Sequence, residues 1–196
     1  MSARMKLRFY LVLVILFCME DKSMVDDAGI ETWTLDDGKK LSMRRISPAD
    51  AAKEQEFVRN LSDKSRYLRF HGAVRELSRK DLESFTNPDP RNTEALIVLY
   101  SEEKSEREIG VARFVINPDS VSCEFAIVIA DEWQNRGLGS WLMKALIKRA
   151  QWRGLKSIYG AVLETNSGMR QLAKALGFTE TRASDDISAL LVTKNL

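Results

Sequence analysis

Residues 124–153 read EFAIVIADEWQNRGLGSWLMKALIKRAQWR, and the fold follows from how this stretch divides. Its first third, opened by Glu124 and continued by FAIVIA, reads as a buried strand. Then comes a short polar loop, Gln134-Asn135-Arg136-Gly137-Leu138-Gly139. A long amphipathic helix follows from about Leu138 to Arg153, where Gly154 is a plausible stop. Trp141, Leu142, Ala145, Leu146 and Ala150 recur on it at helical spacing and form a core stripe. A strand that passes through a glycine-containing turn into a helix N-terminus suits anionic phosphate. The first-turn N–H groups have no internal partners, and the macrodipole adds partial positive charge. Gly137 and Gly139 would let the backbone approach a ligand, and Arg136 would add a fixed cation. The competing reading is an ordinary surface turn whose glycines ease the chain into its helix.

Upstream, Lys40–Arg45 alternates apolar and polar residues and is expected to be a strand. Ser47-Pro48-Ala49-Asp50 starts a helix running to about Asn60, with Ser as cap and Pro at the first helical position. Ser62–Phe70 reads as a second helix. Ser78-Arg79-Lys80-Asp81 opens a third, which ends before Asn87-Pro88. Three strand-like runs follow, Glu94–Tyr100, Glu108–Ile116 and Ser122–Ile129, separated by polar turns. Downstream of the long helix, Ser157–Leu163 is a strand. Asn166-Ser167-Gly168 opens a last helix that Gly177 closes, and Phe178–Arg182 and Ile187–Thr193 are terminal strands. Helices, then an antiparallel meander, then strand–helix–strand–helix, predict an α+β domain with a mixed sheet.

The chain has 196 residues, 30 basic against 28 acidic, for a net charge of +2. The near balance excludes strong non-specific attraction to nucleic acid. Cys18 and Cys123 lie in apolar runs of different character, which argues against a disulfide framework and for a reducing compartment. With one histidine, His71, and no CxxC, no metal site is expected. Residues 1–38 are read apart from a domain over 39–196. Arg4, Lys6 and Arg8 precede an 11-residue apolar run, Phe9–Met19, shorter than the roughly 17 or more residues of a spanning helix. It resembles the start of a signal sequence without a cleavage site. Three readings stay open: a membrane-proximal anchor through residues 7–19, a packed extra element, or non-native sequence ahead of a true start at Met19 or Met24. Asp21–Gly38 is acidic and polar and reads as a linker.

QNRGLG fits the Q/R-x-x-G-x-G/A signature of the GNAT acetyltransferase superfamily, and the spacing to Asn166 and to Leu176-Gly177-Phe178 is similar to that family's distal half. The resemblance covers roughly Leu41–Thr193. LSDKSRYLRF, at 61–70, and SRKDLESFT, at 78–86, resemble the catalytic domain of bacterial protein lysine acetyltransferases, the kind that modify acyl-CoA synthetases. No stretch resembles the synthetase-like or cyclic-nucleotide domains that some of those enzymes carry. The resemblance implies the GNAT fold, a mostly antiparallel sheet flanked by helices with two strands splayed at an acyl-CoA site.

It also implies acetyl-CoA as acyl donor, and the reducing compartment read from the cysteines points to the cytoplasm. The pyrophosphate would lie against N–H groups of Arg136, Gly137, Leu138, Gly139 and Ser140, with Gln134 opening the loop. The pantetheine arm would bond strand backbone near Ile127 and Val128, where an N–H can polarise the thioester carbonyl. Asn166 would reach the cofactor arm, unless it is simply a helix cap, and Met169 and Arg170 are weaker candidates for its distal parts. Glu124 is the candidate general base: burial at the head of FAIVIA would lift its pKa toward neutrality. The alternative is a strand-end glutamate paired with a basic neighbour. The tyrosine that many relatives carry four residues before the GF glycine is Ala173 here, so no general acid is assigned. Tyr67, Arg69 and Phe70 are candidates for the acceptor wall, His71 for a packing role, and Trp133 for packing or for shielding the mouth. The expected reaction is direct acetyl transfer to a primary amine, a protein lysine first. A small-molecule amine or a non-catalytic acyl-CoA-binding module are the alternatives.

Overall fold

The computed structural model describes residues 24–25, 29–72, 74–102, 105–182 and 188–196. Its strands are β1 (Met24–Val25), β2 (Glu31–Thr34), β3 (Lys40–Arg45), β4 (Thr93–Glu102), β5 (Ser105–Ile116), β6 (Ser122–Ile129), β7 (Ser157–Leu163), β8 (Thr179–Arg182) and β9 (Ala189–Asn195). The helices are α1 (Ala51–Asn60), α2 (Asp63–Phe70), α3 (Arg79–Thr86), α4 (Leu138–Trp152) and α5 (Ser167–Ala175). All the described strands join one sheet in the order β1-β2-β3-β4-β5-β6-β7-β9-β8. Every pairing is antiparallel except β6 with β7.

The middle of β4, ALIVLY, is buried on both of its faces, which requires cover on each side of the sheet. α4 packs on β4, β5 and β6, and α1 packs on β5. The core between them holds Phe114, Leu96, Ile97, Leu142 and Leu146, all essentially without exposure. Its lower rim is closed by charge. Glu94 is 2% exposed and accepts from Arg45 Nε at 2.6 Å, Arg149 Nε at 3.1 Å and Arg153 Nη2 at 2.9 Å, so β3, β4 and α4 meet on one carboxylate. Burial works to raise that carboxyl's pKa, and the guanidinium bonds more than offset it, leaving it below the ordinary range.

The helix expected from Ser47 divides into a 3₁₀ turn, Pro48–Asp50, and α1. The cause is Asp50, 1% exposed, which bends back to accept from Ser47 N–H at 2.9 Å and from both terminal nitrogens of Arg44 at 2.7 Å. A larger correction concerns the expected linker. Glu31–Thr34 within it is a strand that pairs along β3, and the Trp33 ring packs tilted against Trp141 of α4, with centroids 5.3 Å apart. The sheet therefore extends before residue 39. The apolar run Phe9–Met19 lies outside the described residues. Among the described residues no helix is long and apolar enough to cross a membrane.

The pairing that places the site is also the shortest relative to its strands. β6 and β7 are in register only over Ser122↔Ser157, Cys123↔Ile158 and Glu124↔Tyr159, although both strands continue for several residues. Just past the last pair the Phe125 ring lies where a side chain on Gly160 would stand, 2.9 Å from the position its Cβ would take. Phe125 is held there edge-on to Phe178 at 5.6 Å. Beyond it the two strands part.

Candidate active site

Strand pairing decides which backbone groups face the gap. In an antiparallel ladder, neighbouring residues direct their N–H and C=O to opposite sides. The N–H of Ala130 bonds Ile109 O at 2.9 Å, and Asn117 N–H bonds Ser122 O at 2.9 Å, so even-numbered residues of β6 face β5. The odd-numbered ones face β7. Where β7 has gone, Ile127 presents an N–H and a C=O to open space. Val128 does not: its backbone is committed to Val111 on β5, although the residue lines the groove. Ile129 faces the gap too, with its carbonyl taken by Gln134 Nε2 at 3.0 Å.

The loop after β6 ends in a helix start with open donors. Gln134 is extended, Asn135 has φ 59°, and Gly137 has φ 88°, a succession of left-handed turns that points backbone N–H groups inward. No side chain caps α4, its first turn holds no acidic residue, and the bond from Trp141 N–H to Gly137 O, at 3.0 Å, begins its ladder. The N–H groups ahead of it open onto a groove of about 570 Å³ lined by Gly137, Gly139, Ser140, Asn166, Met169 and residues of α2. That volume is in the range of small-molecule sites, which run to about 300–1,000 Å³. Gly139 is needed for closeness: a Cβ there would stand 3.1 Å from Leu172 of α5, on the groove's far wall.

Not every expected group turns toward the groove. Arg136 directs its guanidinium to Asp37, at 3.4 Å, and over the Trp133 ring at 5.2 Å. The expected cation is thus spent on the β2–β3 turn, and Arg136 and Leu138, itself 1% exposed, have only backbone to offer a phosphate. Lys64 of α2 lines the groove instead. Its lone position in a helix of mixed charges carried no signal in the sequence. Asn166 caps α5 by accepting from Met169 N–H at 3.1 Å, and it also lines the groove, so cap and wall are one residue. Arg170 is paired with Glu180 at 3.0 Å.

A second cavity, of about 280 Å³, sits at the parting of β6 and β7 and shares Arg69, Ile127, Asn166 and Met169 with the groove. Glu124 is on its lining. The burial expected for this carboxylate is absent: Glu124 is exposed, because β6 turns its even-numbered side chains there to an uncovered face. It also has no ion pair among the described residues, so the basic neighbour of the alternative reading is missing. Arg69, Phe70 and His71 of α2 form the opposite wall. His71 is the helix C-cap at φ 52°, whereas Tyr67 is 54% exposed and lines neither cavity. Trp133 packs: it is 3% exposed, against Tyr100 at 4.9 Å. Ala173 is fully buried and faces no cavity. Cys123 is a buried free thiol, and burial with the nearby Asp119 charge pushes it up to about 12. Among the described residues no cluster of potential metal ligands occurs.

A parted parallel strand pair beside an uncapped helix start, in this strand order, is joined by a match of residues 57–178 to the model of the acetyltransferase (GNAT) family. The chain belongs to the GNAT family. It is 33% identical over 158 residues to acetyltransferase PA5475 of Pseudomonas aeruginosa, covering 81% of this chain and 85% of that one. It is 30% identical to acetyltransferase Pat of Mycolicibacterium smegmatis, over 71% of this chain but 41% of that longer protein. The solved GNAT domain of S. lividans PAT superposes with a TM-score of 0.76 over 85% of this chain and 97% of that one, at 24% identity, a likeness of fold. The GNAT chain described here is an acetyl-CoA-dependent N-acetyltransferase. Its groove has open N–H groups at one end, an unpaired strand edge along the middle, and a cavity with a carboxylate at the other end.

Proposed function

We propose that this GNAT enzyme acetylates the ε-amino group of a protein lysine by direct attack on acetyl-CoA, with Glu124 as general base. The observation that carries the reading is that Glu124, without an ion pair among the described residues, lines one cavity with Ile127 at the end of the groove. Acetyl-CoA supplies an activated acyl carbon and a thiolate leaving group. The chain's residues bind, orient and move one proton. N–H groups from Arg136 to Ser140 hold the phosphates, and Ile127 N–H stabilises the oxyanion that develops on the carbonyl. Glu124 removes a proton from the acceptor ammonium, directly or through water, because only the neutral amine is nucleophilic. Its exposure lets that proton pass on to solvent. With Ala173 buried where a tyrosine acid would stand, the thiolate leaves without a protonating side chain.

Support for lysine comes from residues 61–70 and 78–86, which resemble the protein lysine acetyltransferases, and from α2 as one wall of the acceptor cavity. The same reading takes residues 39–196, with β2 added to the sheet, as the catalytic domain, and the cytoplasm as its setting. The test is acetyl transfer to an acyl-CoA synthetase by wild type and Glu124→Gln, with coenzyme A binding followed by calorimetry. Binding should persist while transfer falls by about 10²–10⁴-fold, the range for removing a general base. Undiminished transfer by Glu124→Gln would refute the base assignment. Binding without transfer by the wild type to that synthetase or to an amine panel would favour an acyl-CoA-binding module.

A further inference from the structure

We propose that Arg69 reads an anionic group on the acceptor, so that the enzyme favours lysines flanked by acidic residues. The inference rests on the acetyl-transfer reading of the same cavity and adds the chemistry of its substrate. Arg69 lies where the groove and the smaller cavity join, and it lines both. Among the described residues no carboxylate reaches ion-pair distance of its guanidinium. The group is held instead by aromatic faces, Phe70 at 5.0 Å and Phe85 at 6.0 Å, which position a cation without neutralising it. Burial, and after it the nearby charge of Arg113, bring its pKa down to about 10, with Glu54 opposing, so it stays cationic at neutral pH.

Arg69, which lines the substrate cavity and has no carboxylate at ion-pair distance among the described residues, carries a planar fork that matches a carboxylate. The donor cannot be what it reads. Acetyl-CoA is uncharged between its phosphates and its thioester, and the phosphates belong at the other end of the groove, near Lys64 and the start of α4. Along α2 the order is Lys64 and Ser65 at the loop end, then Leu68, Arg69 and Phe70 toward Glu124. The anion therefore arrives with the acceptor. Glu124 would face the amine, and Arg69 a carboxylate a residue or so away. A basic flank would instead be placed against a cation, and like charges repel.

The experiment compares three lysine peptides, identical except for acidic, neutral or basic residues on both sides of the lysine, as acceptors for wild type, Arg69→Gln and Arg69→Glu. Free lysine and 1,5-diaminopentane complete the panel. The readout is the ratio of kcat/KM values between acceptors, which is insensitive to a general loss of activity, and thermal unfolding reports folding of each variant. For wild type the acidic peptide should exceed the neutral one by about tenfold, the factor that 1.4 kcal/mol represents. The ratio should fall to about one in Arg69→Gln and invert toward the basic peptide in Arg69→Glu. Equal transfer to all three peptides by the wild type, or an acidic preference that survives Arg69→Glu, overturns the proposal and leaves lysine acetylation standing. Transfer to free lysine alone, dependent on Arg69, keeps the anion site and removes the protein acceptor. No transfer to any acceptor overturns both.

Discussion

At the scale of single residues, Gly137 carries two constraints at once. Its φ of 88° is costly for any side chain, and a Cβ there would stand 3.0 Å from Trp33. Gly137→Ala is expected to lose about 1–2 kcal/mol from the left-handed conformation alone, and to lower acetyl-CoA affinity as the loop's N–H groups turn. Calorimetry and thermal unfolding on the same sample check both; an unchanged affinity would mean that the loop's shape is not what binds. Gly137 was legible in the sequence because the motif and the helix that follows are local. Its neighbour Arg136 was misread, since the residues that draw its side chain away, Asp37 and Trp133, belong to a turn and a ring brought there by folding. Glu124 was legible by position but not by environment. Whether a strand-end carboxylate is covered depends on what packs on that face of the sheet, which no property of β6 determines.

At the scale of elements, α2 and the loop that follows β6 behave as a single part. Asp131 Oδ2 accepts from Ser62 N–H at 2.9 Å, and Oδ1 accepts from the hydroxyls of Ser62 and Ser65 at 2.6 and 2.7 Å. Gln134 Nε2 adds a bond to Ser65 Oγ at 3.2 Å. The start of the acceptor wall is thus fastened to the approach of the phosphate loop. Burial tends to raise Asp131, but the serine bonds outweigh it and hold its carboxyl below the usual range. Asp131→Ala should cost about 1–3 kcal/mol, the penalty for bonds lost from a partly covered cap. Hydrogen exchange should then quicken in α2 while the amides of β4 and β5 stay protected; equal loosening throughout would mean that the link is not specific. The bounds of α2 and of three strands followed from local pattern. β2 did not, because a four-residue strand in an acidic stretch is stabilised by Trp33 against a helix more than a hundred residues away.

At the scale of the molecule, charge is enclosed around Glu94 and again around Glu108. Three guanidinium groups surround Glu94. Under α1 and α3, Glu108 of β5 is 5% exposed and lies beside Glu54 and Asp50, with Arg113 as the facing cation. Arg113 itself stands 3.6 Å from Glu54 and over the Phe85 ring at 4.1 Å. Burial first, and Glu54 next, push Glu108 well above its ordinary value of 4.5. A raised folded-state pKa contributes stability that is complete below the unfolded value and is lost as pH rises through the folded one. Glu108→Gln, which keeps the shape of the protonated acid, should therefore gain on wild type as pH rises from about 4.5 to 8. A gain of about 3 °C in Tm would correspond to about 1 kcal/mol at this chain length. A Tm difference that is the same at both pH values would contradict the assignment. Neither cluster was visible in composition, which records 28 acids without saying which are enclosed. The seating of β2 has one further consequence, an optical one. Three of the four tryptophans, Trp33, Trp133 and Trp141, stand against or beside the loop of residues 134–139, and Trp33 reaches to Gly137 itself. The protein's own emission spectrum is placed to register a donor entering the groove, without any label.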